Sequence, residues 1–364
     1  MSVYEELGVR PLINAWGTVT AVGGSLMAPE VLEAMREAST AFVDLHALQR
    51  RAGERIASLL GADAACVTSG AAAGLTVAAA ACMTRLAPDH RAQLPVTTDL
   101  PDECLMLRSH RNRYDKAASM SGIRIVEVEG TSIDDVHAAI TDRTAMFLYM
   151  AESEDSPGSL ALTAVAAAMR AHRIPVVVDA AAELPPRSNI PRYLGGGADL
   201  LVLSGGKEIR GPQSSGLILG GAELITQCAA HAYPHHGIGR GMKTDKETIA
   251  GLVKAVELFA QRDEDALFAR WERAIDDIVT ALSVNDDVSV RRHTPVGPGI
   301  QPTVIPRAYI TPVRRSSEKV AELLLAGDPA VAVGIDGADI AINPQCLSAD
   351  QIPLVIRAIE GACS

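Results

Sequence analysis

The sequence predicts an α/β protein: a large domain built on a mostly parallel sheet, followed by a smaller α+β domain. Three observations lead there. Short segments that are apolar throughout recur in the first two thirds of the chain, as in "TAMFLYM" (144–150), "IPVVVDA" (174–180) and "ADLLVLS" (198–204). Such strands, without polar alternation, suit a sheet covered on both faces, the usual state of parallel sheets. They alternate with helical or loop stretches, the order that crossover connections need. Beyond about residue 285 shorter strands and a terminal helix form a second pattern.

Taken in order, residues 30–42 have helical spacing behind Pro29, and residues 47–60 run to Gly61, a helix stop. "AACVT" (64–68) is a strand, and "SGAAAGLTVAAAACM" (69–83) is a turn followed by an Ala-rich helix. "CLML" (104–107) and "IRIVEV" (123–128) are strands, "DDVHAAI" (134–140) a short helix and "LTAVAAAMRAHR" (162–173) a longer one. "SGLILG" (215–220) adds a further strand. Two long helices, about 246–262 and 265–284, read as a bridge. "VSVRR" (288–292), "TVIPRAYI" (303–310), "AVAVGI" (330–335), "DIAINP" (339–344) and the helix in "SADQIPLVIRAIEG" (348–361) make the small domain. The expected division is a segment 1–44, a large domain 45–245, bridging helices 246–284 and a small domain 285–364, with the first 25 residues packing outside the large domain.

With 364 residues and 48% hydrophobic content, the chain can fill one large core and a smaller second one. A net charge of -11 disfavours nucleic acid or an anionic membrane as the main partner. Aromatic content of 3% leaves few platforms for stacking bases. The six cysteines show no CxxC pair and read as free thiols in a reducing compartment. The acidic start "MSVYEELGVR" is not a secretory signal, and the Ala-rich runs break before the length of a membrane span. A cytoplasmic location, no membrane and no metal are expected.

The segment that points to chemistry is "SGGKEIRGPQSSG" (204–216), where Lys207 sits among glycines just past a buried strand. A snorkelling surface amine is the ordinary alternative. The glycines leave room for a bulky group near the backbone. "VVVDAA" places Asp179 at the carboxyl end of another apolar strand, where open α/β sheets bind ligands. A buried carboxylate needs a cation or donors, which a protonated pyridine nitrogen would supply, although an Asp that only caps its loop fits as well. A lysine and a carboxylate so placed are what pyridoxal phosphate (PLP) requires. "TSGAAAGL" (68–75) offers a turn into a helix start whose N–H groups suit a phosphate dianion, with Ser69 and Ser204 as added donors. Simple helix capping is the alternative there.

Together with "LINAWGTVTAVGGS" (12–25), "RSHRNRYDKAASMSG" (108–122), "VDAAAELPP" (178–186) and "GRGMKTDKETIAGL" (239–252), these segments resemble the fold-type I PLP enzymes. The branch is that of bacterial selenocysteine synthase (SelA) and the D-glucosaminate-6-phosphate ammonia-lyase type. The resemblance implies that Lys207 carries the Schiff base, Asp179 holds the pyridine nitrogen and His110 stacks on the ring. It also implies that Ser69, Gly70, Ala71, Ala72 and Ser204 surround the phosphate. By composition alone, His110 lies in a basic patch with Arg108, Arg111 and Arg113 and fits a solvated surface equally. Arg240 and Lys243 are candidates for substrate or cross-subunit contacts, with a solvated basic turn as the alternative. Arg307 and Arg314 are candidates for binding a substrate carboxylate or phosphate. Fold-type I enzymes imply a homodimer or a larger assembly built of dimers. The selenium transferase's extra tRNA-binding region has no counterpart here, so a small amino compound is the expected substrate. The expected reaction is α,β-elimination: an ammonia-lyase acting on a β-hydroxy amino acid or amino-sugar acid, with or without a phosphate. Its leaving hydroxide needs an acid, for which His110, Glu183 and Lys207 are all available. An aminotransferase, a racemase or epimerase, and a non-catalytic PLP-binding regulatory protein remain as alternatives.

Overall fold

A computed structural model describes residues 2–295 and 302–364. Two compact units emerge, one of residues 27–262 and one of residues 2–26, 263–295 and 302–364.

The larger unit is organised by a seven-stranded sheet. Its spatial order is Ala64–Thr68, Gly216–Gly220, Leu200–Ser204, Val176–Asp179, Thr144–Met150, Glu103–Leu107 and Arg124–Val128. All neighbours are parallel except Gly216–Gly220, which runs antiparallel to both of its own. The predicted strands are present: 64–68 and 144–150 keep their bounds, 104–107 gains Glu103, and the others are shorter by one to three residues. Their unbroken apolar character has a direct cause. In Thr144–Met150, Phe147 and Tyr149 enter one core, while Met146, Leu148 and Met150 enter a second core on the opposite face. Leu201 and Leu203 divide from Leu200 and Val202 in the same way. Strand period two therefore leaves no polar face.

Helices Pro29–Ser39, Leu45–Leu60, Leu162–Ala171 and Lys246–Gln261 bury their apolar stripes in the first core. The second is filled by Ala71–Thr84 and Ala222–His231. The alanines of Ala71–Thr84 let that helix lie close on the sheet, so that a Cβ on Gly74 would stand 2.9 Å from Val202 Cγ1. Leu45–Leu60 starts on Asp44, whose carboxylate accepts the His46 N–H at 2.9 Å, and stops at Gly61 in the left-handed region, φ 69°.

Because the strands from Glu103 to Ser204 run the same way, their carboxyl ends share one edge. The turn Arg108–His110, Glu152, Asp179 and the segment after Ser204 all follow those ends. Gly216 sits across from both Thr68 and Ser204, which brings the turn after Thr68 to the same edge.

The smaller unit holds an antiparallel sheet in the order Gly334–Asp336, Asp339–Ile342, Arg307–Pro312 and Val288–His293. Helices Glu264–Leu282, Ser317–Ala326 and Ile352–Cys363 pack with it around Ile275, Ile310, Val320 and Val355. Three features differ from expectation. Leu12–Asn14 is a strand, paired in parallel with Ala330–Ala332, so the N-terminal residues belong to this unit. "AVAVGI" divides at Val333 into two strands with different partners. "TVIPRAYI" forms its ladder only from Arg307, after Pro306, which lacks a donor. Of the two long helices, Lys246–Gln261 falls in the larger unit and Glu264–Leu282 in the smaller.

Gly53 tests the packing of helix on edge strand. An alanine Cβ there would lie 2.2 Å from the Ala65 carbonyl oxygen, which is backbone and cannot swing away. An unhindered helical Gly→Ala change stabilises by about 1 kcal/mol. Gly53→Ala is instead expected to lower unfolding free energy by about 1–3 kcal/mol, read from urea denaturation midpoints.

Candidate active site

Lys207 rides on a loop that closes on itself. Gly205 N–H donates to Ser215 O at 2.8 Å, Gly211 N–H to Gly205 O at 2.8 Å, and Arg210 N–H to Lys207 O at 3.0 Å. Arg210 completes the turn in the left-handed region, φ 59°. The glycines serve this closure. A Cβ on Gly205 would meet Ser215 Oγ at 2.1 Å, and one on Gly206 would meet the Gln213 Cα at 2.4 Å. The room expected here for a bulky ligand is thus taken by the loop's own chain. Glu208 next door is buried and forms an ion pair with Arg262 Nη1, which also donates to the Glu208 carbonyl at 3.0 Å. Arg187, eight residues past Asp179, donates to Phe259 O at 2.9 Å and Ala260 O at 2.8 Å. The lysine loop and the aspartate loop are therefore fastened to the same end of helix Lys246–Gln261.

Asp179 is 7% exposed. Its Oδ1 accepts the Ala181 N–H at 3.0 Å, and among the described residues no cation lies within ion-pair distance. Burial pushes its pKa up to about 6, against the pull of the Ala181 N–H and Lys207. Burial also lowers the pKa of the Lys207 amine, although Asp179, Glu152 and Glu183 act in the opposite direction. A shift in that direction favours the nucleophilic, neutral amine. Glu183 is buried as well, its pKa raised to about 8 by burial and then by Glu152 and Asp179.

The turn after Thr68 leads into an open helix start. Gly70 has φ 91° and makes no side-chain cap for helix Ala71–Thr84, so the first N–H groups of that 14-residue helix are left to an external acceptor. Ser69, Gly70 and Ala71 are half-buried and Ala72 is exposed. Ser204 is half-buried beside them, paired with Gly216. A Cβ on Gly216 would lie 2.5 Å from the Gly70 carbonyl carbon and 2.8 Å from the Ala71 nitrogen. A carboxylate short of a cation, a desolvated amine and an open helix start fit the pyridine nitrogen, the aldehyde and the phosphate of PLP.

His110 is buried, 0% exposed, and separate from its basic neighbours. Its Nδ1 accepts the Met150 N–H at 3.2 Å, its Nε2 lies 2.8 Å from Ser159 Oγ, and its ring meets Tyr149 edge-on at 4.6 Å. With Nδ1 accepting, the proton sits on Nε2 and the ring is neutral. Burial lowers its pKa to about 4. Arg240 lies over the Tyr233 ring, 5.0 Å from its centroid, and Lys243 is exposed. Arg307 and Arg314 belong to the smaller unit. Arg307 is buried and donates to Ile305 O at 3.0 Å, whereas Arg314 is exposed and pairs with Asp287 at 2.9 Å. The larger unit thus gathers Lys207, Asp179, His110, Ser204 and residues 69–72 at one sheet edge.

Sequence reading missed Glu152, whose Oε1 accepts Asn112 Nδ2 at 2.6 Å, and Ser159 beside His110. It also missed the Glu208–Arg262 pair, whose one signal was an acid set between Lys207 and Ile209.

The class-V aminotransferase family profile matches residues 28–246. D-glucosaminate-6-phosphate ammonia lyase of Salmonella typhimurium is 35% identical, over 71% of this chain and 70% of that protein. A 5'-C-glycyluridine monooxygenase-decarboxylase of a Streptomyces species is 30% identical, over 98% of this chain and 91% of that protein. The solved structure of a D-glucosaminate-6-phosphate ammonia-lyase superposes with TM-score 0.86 at 27% identity, covering 100% of this chain and 98% of that one. The chain belongs to the class-V aminotransferase family and is a fold-type I, PLP-dependent enzyme.

Gly216→Ala should separate the Gly216 strand from the Gly70 turn. The dissociation constant for PLP, read by absorbance titration, is expected to rise at least about tenfold, or about 1.4 kcal/mol.

Proposed function

We propose that this member of the class-V aminotransferase family is an ammonia-lyase. It would dehydrate and deaminate a small β-hydroxy amino acid of the amino-sugar-acid kind, such as D-glucosaminate 6-phosphate. The observation that carries this reading is the agreement with the ammonia-lyase in both sequence and full-length fold. The charge pattern around Lys207 is in keeping with it.

PLP, when bound, supplies an electron sink that makes the substrate's α-hydrogen acidic. Lys207 would hold the cofactor and, once displaced by the substrate amine, accept the α-proton at Nζ. Its lowered pKa favours the neutral, basic form. Asp179 would keep the ring nitrogen protonated, and that cation in turn would relieve the desolvated carboxylate. His110 would lie against the ring as a neutral imidazole, fixed through Met150 and Ser159. The start of helix Ala71–Thr84, with Ser69 and Ser204, would hold the cofactor phosphate. A distal anion on the substrate calls for a cation. Arg240 and Lys243 are the candidates in the larger unit, whereas Arg307 is spent on backbone carbonyls and Arg314 on Asp287. Remote binding of this kind orients the reacting bond. Per turnover, a β-hydroxy amino acid loses water, the free enamine is hydrolysed, and a 2-keto acid and ammonia are released.

Exposed Phe42, Val43 and Leu32 in the larger unit suit a surface that a second copy covers, in line with a homodimer or an assembly of dimers. No helix among the described residues is long and apolar enough to cross a membrane. Among the described residues no cysteine forms a disulfide, which suits the cytoplasm.

A second reading has its own support, because the monooxygenase-decarboxylase relative aligns with nearly the whole chain. That reading needs dioxygen and releases carbon dioxide. Under strict anaerobiosis and with no keto acid added, holoenzyme given D-glucosaminate 6-phosphate or other β-hydroxy amino acids should form ammonia and keto acid in equal amounts. Turnover that needs oxygen, or ammonia-free amino transfer that needs a keto acceptor, would replace the proposal.

Asp179→Asn should retain PLP while losing the charge that favours the protonated ring. Turnover is expected to fall about a hundredfold or more, roughly 3 kcal/mol. Borohydride reduction of the wild type should fix the cofactor on the peptide containing Lys207.

A further inference from the structure

Glu183 follows the Val176–Asp179 strand by four residues, in the turn at the carboxyl edge of the sheet. Its backbone is held on both sides: its N–H donates to Ala180 O at 3.2 Å, and its carbonyl accepts Asn189 Nδ2 at 2.7 Å. Its side chain is treated differently. The residue is 7% exposed, and the enclosed Oε1 receives no hydrogen bond. A carboxylate stripped of water without donors is costly, so the group keeps its proton.

The groups that face it come from four elements. Asp179 ends its own strand, and Glu152 and Glu154 follow the Thr144–Met150 strand. Arg192 and Tyr193 belong to helix Asn189–Gly195, and Lys207 comes from the glycine loop. Three of these six are acids. The one arginine is already engaged: Arg192 Nη1 donates to Glu154 at 2.8 Å and Nη2 to the Tyr193 hydroxyl at 2.7 Å. Burial, then Glu152 and Asp179, outweigh the downward pull of Arg192 on the Glu183 pKa. That pKa stands at about 8, so the protonated form prevails at neutral pH.

A carboxyl that keeps a proton, leaves its buried Oε1 without a hydrogen bond and sits within electrostatic range of both Lys207 and Asp179 is placed to give that proton up. The proposed reaction needs such a proton, because hydroxide is a poor leaving group. His110 is unsuited to give one, with Nδ1 accepting from Met150 and Nε2 turned to Ser159. We infer that Glu183 is the acid that protonates the departing β-hydroxyl, an inference that rests on the ammonia-lyase reading. As the Cβ–O bond breaks, its electron pair leaves with oxygen, which takes the Glu183 proton and departs as water. The pair from the Cα–H bond becomes the Cα=Cβ bond, and that hydrogen is on Lys207 as a proton. Transfer of this proton from the Lys207 ammonium back to the Glu183 carboxylate restores both groups, and one water is lost overall.

The test compares two leaving groups in wild-type and Glu183→Gln holoenzyme. Chloride needs no proton, so a β-chloro amino acid should eliminate within about threefold of wild type in the variant, as should α-hydrogen exchange in heavy water. Elimination of a β-hydroxyl should fall at least about a hundredfold. In the wild type, the hydroxyl reaction should weaken as pH rises through about 8, where the acid loses its proton, and the chloride reaction should lack that limb. Independently of activity, the infrared difference between wild type and Glu183→Gln, without cofactor, should show a protonated-carboxyl stretch at neutral pH that titrates away in alkali. Equal losses in exchange and in both eliminations would overturn the role and mark Glu183 as structural. Full hydroxyl elimination in Glu183→Gln, or the absence of the infrared band, would also overturn it. Wild-type enzyme that exchanges the α-hydrogen but frees no ammonia from either substrate would instead overturn the lyase reading, and this role with it.

Discussion

An acid held out of water without a cation is the constraint around which the carboxyl edge of the larger unit's sheet is arranged. Asp179 cannot relax toward solvent, since it terminates a central strand with partners on both sides. Nor does Lys207 come within ion-pair distance of it. The two groups are thus kept apart, the acid with a raised pKa and the amine with a lowered one. A salt bridge between them would have been more comfortable for the protein and useless for chemistry, because both ends would already be spent. The separation leaves each able to accept a different part of one cofactor.

Keeping two such groups apart requires rigidity, and it comes from the backbone. The lysine loop is closed by hydrogen bonds from Gly205, Arg210 and Gly211, and it is too crowded to accept a Cβ at Gly205 or Gly206. The ion pair of buried Glu208 with Arg262, together with Arg187, then ties the lysine loop and the aspartate loop to one helix end. His110 is fixed by different means, through the Met150 N–H and Ser159. Precision at this edge is therefore local and redundant, as sites built on rigid elements need it to be.

The sheet was legible because its central strands, Thr144–Met150, Val176–Asp179 and Leu200–Ser204, are apolar on both faces, a pattern with few other causes. Lys207 and Asp179 were legible for a related reason: a charged residue directly after an apolar strand stands out. What escaped was non-local. Leu12–Asn14 is too short to show a period and is defined only by Ala330–Ala332. The Glu208–Arg262 pair joins residues 54 positions apart. The neutral state of His110 depends on a backbone donor from another strand, so its setting among Arg108, Arg111 and Arg113 was misleading. Arg307 looked like an open cation in sequence and is buried against backbone carbonyls.

The antiparallel strand Gly216–Gly220 lies between the first strand of the sheet, Ala64–Thr68, and Leu200–Ser204. Roughly 150 residues separate Ala64–Thr68 from the strand that joins it to the rest, a long loop to close before any pairing is gained. The open helix start follows Thr68, and its fit to the lysine loop runs through Gly216. A nascent chain therefore has its Asp179 strand before it has that helix start in register. A chain in which Gly216–Gly220 has not docked lacks the helix start in register with the lysine loop. Bound PLP is in that sense a proofreader of assembly: it adds stability only to chains whose sheet has closed.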